Sequence, residues 1–200
     1  MNLILEKTVS IEGMPPRFFT NLFAVMYVGM APLTCMSAIL SEEKEKNTLR
    51  VLMMSNVSPM QYLIGIGGYV FLMCMTGALA FAVVGAYGGM LLARFLCVMA
   101  AGILLSELIG ATIGAACRNQ LTASSVTVPT MMILSFLPML ALFNESIRKI
   151  AQITYSQQIS LLIGGIEGGE ASIKSAAILT INFAIAFAAF VIVYRRKSFE

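Results

Sequence analysis

The sequence predicts an all-α, polytopic transmembrane bundle of about five spans. Three observations carry this. Of the 200 residues, 58% are hydrophobic and 12% charged, against about 45–50% and about 25% in a soluble domain. The charges cluster and bound apolar runs long enough to cross the hydrocarbon, which takes about 20 residues. Pro59, Gly85, Gly88 and Gly89 fall at joints between runs. Residues 1–200 read as a single membrane domain.

Span one is about 18–41, because Phe18 to Ser41 carries no charge. Pro32 lies inside it and should kink it, which membrane helices tolerate. The next stretch, SEEKEKNTLR (41–50), is the most polar in the chain. From Val51 to Ala93 no charge appears, and at about 1.5 Å per residue that run is too long for one crossing. It divides at Ser58-Pro59, since proline suits the first turn of a helix. Span two is then about 60–86, and Gly85, Gly88 and Gly89 around Tyr87 make a turn. Span three, about 90–117, holds Arg94 near its start, where the side chain can snorkel, and Glu107 in its middle. Arg118-Asn119-Gln120 connects it to span four, about 122–143, with Pro129 and Pro138. Residues 144–172 form an outer segment containing Glu145, Arg148, Lys149, Glu167 and Glu170. Span five is about 175–194, followed by Arg195-Arg196-Lys197.

Five crossings put the chain ends on opposite sides. A basic end marks the cytoplasmic face, so the C-terminus is expected inside and the N-terminus outside, in the plasma membrane. Residues 41–61 and 117–121 are then cytoplasmic and 144–172 outside. The first seventeen residues carry Glu6, Lys7, Glu12 and Arg17 without a basic start leading into a short apolar core, so no cleavable signal peptide is expected.

The composition excludes several chemistries. The chain has no His and no Asp, so a Ser-His-Asp triad, a paired-aspartate site and His-ligated zinc are ruled out. No phosphate loop is present, so any ATP is bound by another polypeptide. The chain is expected to be no enzyme, with no catalytic residue, metal site or cofactor of its own. Cys35, Cys74, Cys97 and Cys117 form no C-x-x-C pair and read as small buried hydrophobes. A net charge of +3 gives no reason to expect nucleic acid as a partner.

Two regions are candidates for function. In 41–61 a charged strip (Glu42 to Lys46) precedes Leu49, Leu52 and Met53 at helical spacing, the pattern of a short amphipathic helix. Such a helix either lies on the lipid interface or fills a groove on a soluble partner. In span three, Glu107 is costly at membrane depth, about 2.5–3.5 kcal/mol on insertion scales for acidic residues, and intramembrane acids are functional candidates. Arg94 and Arg118 lie roughly 20 and 16 Å away along the helix at about 1.5 Å per residue, too far to pair with it. Gly110 and Gly114, at i+3 and i+7, share its face and should pack against another helix. Glu107 is therefore expected to point into protein, bonded to a hydroxyl or backbone group, or to line a transport path.

Residues 41–65 resemble the signature of the type-2 ATP-binding-cassette (ABC) exporter permease family. There a span is followed by an acidic-basic run, Gly-Thr-Leu, a small apolar helix, a serine-containing break, and a span opening with Gly-Lys. Glu43 and Glu45 match the acidic run, Thr48 and Leu49 the Thr-Leu pair, and Leu52 the apolar helix, with Met53 beside it. Ser55, Val57 and Ser58 match the break, and Gly65 the opening glycine. Asn47 stands for the usual Gly and Ile66 for the usual Lys. IAQITYSQQISLLI (150–163) resembles the stretch before the family's last span, without its common proline. The family's first of six spans has no counterpart ahead of span one. The resemblance implies the membrane subunit of an exporter. It implies two permease copies, identical or not, and separate ATPase subunits docked on 41–61 through Glu43, Glu45, Thr48, Leu49, Leu52, Met53 and Ser55. Family substrates include drugs, antimicrobial peptides, lipids and polysaccharides. Two other readings remain: a proton-coupled secondary transporter using Glu107, and a non-transporting membrane anchor or immunity-type protein.

Overall fold

The structure, a computed structural model, describes residues 17–46, 59–166 and 173–197. They form seven helices and, among the described residues, no strand: α1 (Phe18–Glu45), α2 (Pro59–Val84), α3 (Gly89–Ala116), α4 (Gln120–Phe143), α5 (Glu145–Ala151), α6 (Tyr155–Gly164) and α7 (Ile173–Lys197). Helices α1 to α4 and α7 are long and apolar enough to span a membrane. Each expected span is there, with ends shifted by a few residues. The largest difference is in α1, whose 28 residues measure about 42 Å at about 1.5 Å each, against a hydrocarbon thickness of about 30 Å. Its last turn therefore carries Ser41 to Glu45 out of the hydrocarbon, as a continuation of the span rather than as part of a separate amphipathic helix. Thr48, Leu49, Leu52, Met53 and Ser55 lie outside the described residues.

Local chemistry sets the helix ends. Proline opens α2 at Pro59, where its missing N–H costs no intrahelical bond. Asn119 caps α4 by accepting from the Thr122 amide at 2.8 Å, satisfying one of the orphan donors of a helix start. The turn between α2 and α3 passes through Ala86 at φ 49° and Gly89 at φ 55°. It is fastened to the start of α1. The Arg17 guanidinium donates to the Ala86 carbonyl at 3.1 Å and lies 4.7 Å above the Tyr87 ring. The Tyr87 hydroxyl donates to Asn21 Oδ1 at 2.5 Å.

The innermost helix is α1, with Ala24, Val25, Val28 and Leu33 all buried. It packs along α3 on one side and α4 on the other, and α2 touches both α1 and α3. Contact with α3 is made through small residues spaced by four: Gly102, Ser106, Gly110 and Gly114. A Cβ on Gly102 would lie 2.7 Å from Val28 Cγ1, and one on Gly114 2.8 Å from the Ser37 carbonyl oxygen, while one on Gly110 would run into the Leu33 carbonyl. The expected packing face of Gly110 and Gly114 is thus filled by α1, backbone against backbone, as close membrane helix pairs require.

The outward surface is apolar. Ile64, Leu72 and Val83 on α2, Leu121 and Ile133 on α4, and Ile173 and Ile185 on α7 are all exposed. Around five spanning helices such a surface meets lipid tails, and the chain is a multi-pass membrane protein. Cys35 and Cys97 lie on that surface and only Cys74 and Cys117 are buried. The expectation of four buried thiols is corrected for the first pair, because lipid accommodates a small apolar side chain as readily as a core does.

Part of the connection between α4 and α7 is packed into the bundle. Helix α6 is packed among α1, α3, α4 and α7, and Tyr155, Ser156, Gln157, Gln158 and Ile159 are all buried.

The close α1–α3 contact makes a graded prediction. Gly110→Ile forces two backbones apart and should destabilise the detergent-solubilised protein by about 1–3 kcal/mol, the usual range for overpacking. Gly65→Ala should be neutral or slightly stabilising, since nothing lies within 4 Å of its added Cβ. Thermal unfolding of the two variants side by side checks both.

Candidate functional site

Pro32 has no backbone N–H to give to the carbonyl four residues earlier, which is that of Val28. In lipid such a freed carbonyl must find another donor. Ser106 on α3 supplies it, its hydroxyl donating to the Val28 oxygen at 2.6 Å. The same Ser106 oxygen is 2.7 Å from the Tyr155 hydroxyl. A serine has one proton to give, and Val28 takes it, so Tyr155 is the donor to Ser106. The relay runs from Tyr155 on α6 through Ser106 on α3 to the backbone of α1, and it explains why α6 is drawn into the bundle.

Two further polar bonds cross α1. The Tyr27 hydroxyl donates to the Cys74 carbonyl on α2 at 3.0 Å, and the hydroxyls of Ser37 and Thr127 (α4) are 2.7 Å apart. Ser135 of α4 presses on Gly29 of α1, where an added Cβ would come within 2.5 Å of the serine oxygen.

Glu107 follows Ser106 and is 6% exposed. It does face protein, as expected, but its Oε1 has no hydrogen-bond partner. The expected hydroxyl or backbone bond is not made at that oxygen. Ser135 Oγ, Ser156 Oγ and Gln157 Oε1 are also buried and unpartnered. Among the described residues no group of three or more Cys or acidic side chains could hold a metal ion.

The second place is the far end of α1. Lys46 Nζ donates to Glu42 Oε1 in an ion pair at 2.5 Å, and this hydrogen bond pushes the Lys46 ammonium above its usual range. Lys44 Nζ donates to the Ala115 carbonyl in the last turn of α3 at 2.7 Å. Glu45 Oε2 accepts from the Gln120 amide at the start of α4 at 2.9 Å. Glu43 is half-buried, and its Oε2 has no partner. Of the seven residues expected to dock a partner, Glu43 and Glu45 are therefore placed at the α1 end beside the α3–α4 connector, and the other five fall outside the described residues.

Sequence reasoning missed Ser106 and Tyr155. A signal for the first was present: Pro32 announces that the Val28 carbonyl needs a donor, although nothing in the sequence says which hydroxyl provides it.

No family model, curated protein or solved structure matches the chain.

The relay predicts a specific rescue. Ser106→Ala leaves the Val28 carbonyl without a donor in the bundle interior and should cost about 1–3 kcal/mol. Pro32→Ala restores the amide that bonds that carbonyl within α1, so the double variant should recover most of the loss. A double-mutant cycle on thermal stability reads this directly. Additive losses would show that the hydroxyl and the proline are unrelated.

Proposed function

We propose that the chain is the transmembrane permease subunit of an ABC transporter of the exporter type, driven by ATP hydrolysis in a separate ATPase subunit. In this reading it sits in the plasma membrane with its C-terminus cytoplasmic and its N-terminus outside, and it pairs with a second permease copy. The observation that supports it most is the α1 end. There a spanning helix runs without a break into a charged turn fixed to the α3–α4 junction. The segment that follows in the sequence carries the Thr48-Leu49, Leu52 and Ser55 matches to the family signature. A docking element needs apolar anchors for affinity and charges for register, and it needs a rigid mount to transmit a push. The α1 end provides such a mount.

The docking reading is tested by Leu49→Ala combined with Leu52→Ala. Truncating an apolar anchor that is a hot spot costs about 2 kcal/mol or more, which is over tenfold in affinity. The double variant should insert normally but lose co-purification of the phosphate-loop ATPase retained by the wild type. A helix that merely lies on lipid would leave that co-purification intact.

A second reading is supported by one observation, the buried and unpartnered Oε1 of Glu107, which suits a proton carrier in a secondary transporter. The permease reading expects Glu107→Gln to leave ATP-dependent export largely intact, since the amide keeps the shape of the carboxyl and can reproduce bonds made by its neutral form. Loss of transport with normal assembly and unchanged ATP hydrolysis would favour the proton carrier.

A further inference from the structure

We infer that Lys44 and Glu45 are positioning residues that clamp the end of α1 to the α3–α4 junction, so that the ends of α1, α3 and α4 move as one body. The two residues are neighbours on a helix, so their side chains diverge by about 100° and reach two different elements. Each meets the helix end of complementary polarity. The last carbonyls of a helix lack intrahelical donors and carry partial negative charge, while the first amides lack acceptors and carry partial positive charge. The Lys44 ammonium takes the Ala115 carbonyl at the end of α3, and the Glu45 carboxylate takes the Gln120 amide at the start of α4.

The geometry around the pair supports a rigid mount. Only residues 117–119 separate α3 from α4. One turn back, Ser41 is fully buried and Gly114 lets α3 approach α1, where an added Cβ would come within 2.8 Å of Leu40 Cβ. The ends of α1 and α3 are therefore already in contact; Lys44 reinforces that contact and Glu45 adds the start of α4 to it. Further along, α4 is tied to α1 again by the Ser37–Thr127 bond. The consequence for energy transmission rests on the permease reading: a push on residues 47–58 would reach α4 through Glu45 as well as through α1 itself.

The opposite polarities of the two helix ends give a test that a solvated charge pair cannot imitate. Exchanging the charges in Lys44→Glu with Glu45→Lys keeps the net charge but sets a carboxylate against a carbonyl and an ammonium against an amide. In the full chain in lipid nanodiscs, hydrogen–deuterium exchange over residues 115–124 should rise about tenfold, a factor equivalent to about 1.4 kcal/mol. Lys44→Arg, which keeps the donor, should stay near wild type. Should the exchanged chain fail to fold, Lys44→Met and Glu45→Gln carry the same test separately, each raising local exchange about threefold (equivalent to about 0.7 kcal/mol). Wild-type exchange in the exchanged or in both neutral variants overturns the clamp.

A second arm uses the permease–ATPase complex and a non-hydrolysable ATP analogue. In wild type the analogue should alter exchange at the end of α3 and the start of α4. In Lys44→Met, which leaves the docking residues named above untouched, this response should shrink while the ATPase still co-purifies. An undiminished response with loosened 115–124 overturns the transmission role. If no ATPase binds the wild-type chain, the permease reading fails, and the clamp stands or falls on the first arm alone.

Discussion

The bundle is organised around one carbonyl. Pro32 strips the Val28 oxygen of its intrahelical donor, and a membrane interior offers no water in exchange. A donor must come from another helix, and Ser106 provides it. That bond fixes the register of α3 against α1. Once Ser106 is in place, Gly102, Gly110 and Gly114 face the same side of α3, and all three meet α1. The Ser106 oxygen, its own proton committed, then accepts from Tyr155, which sets how far α6 enters the bundle.

Helix α1 is accordingly the axis of the fold and α7 its periphery. Polar bonds leave α1 toward α2, α3 and α4, while α7 lies against α3 and α6 with most of its length turned outward. In lipid there is no hydrophobic drive to bring helices together, so close backbone approach and interhelical hydrogen bonds take over that task. Both are concentrated on α1. The distribution of glycines follows the same logic: Gly102, Gly110 and Gly114 on α3 are tight against a neighbour, whereas Gly65, Gly67 and Gly68 on α2 have open space where a Cβ would stand.

Much of this was legible in the sequence, for a physical reason. Charges cannot be placed freely in a bilayer, so they mark span ends to within a few residues, and Pro59 and Asn119 refine two of those ends. The G-x-x-x-G of Gly110 and Gly114 announced a helix contact. What stayed hidden was any feature defined by a partner distant in sequence. Tyr155 to Gln158 read as an outer polar stretch, because a buried hydroxyl or amide looks like an exposed one until its surroundings are known. Ser106 is an unremarkable serine until Pro32 is seen to need it, 78 residues from Val28. The cost of burial leads one to expect a hydrogen bond at Glu107, yet its Oε1 is left alone. At the α1 end the charged strip read as the polar part of a short amphipathic helix, whereas Lys44 and Glu45 diverge to separate helix ends.

The Pro32 device has a consequence for how the protein is made. Residue 28 leaves the ribosome well before residue 106. At about 5–20 residues per second, the 78-residue separation leaves the Val28 carbonyl unmet by its final donor for roughly 4–16 s. The buried hydroxyl of Ser37 waits for Thr127 still longer. During that interval α1 is poorly suited to lie alone in lipid. A hydrated site, beside the translocation machinery or at the membrane surface, would meet that carbonyl's need until α3 arrives.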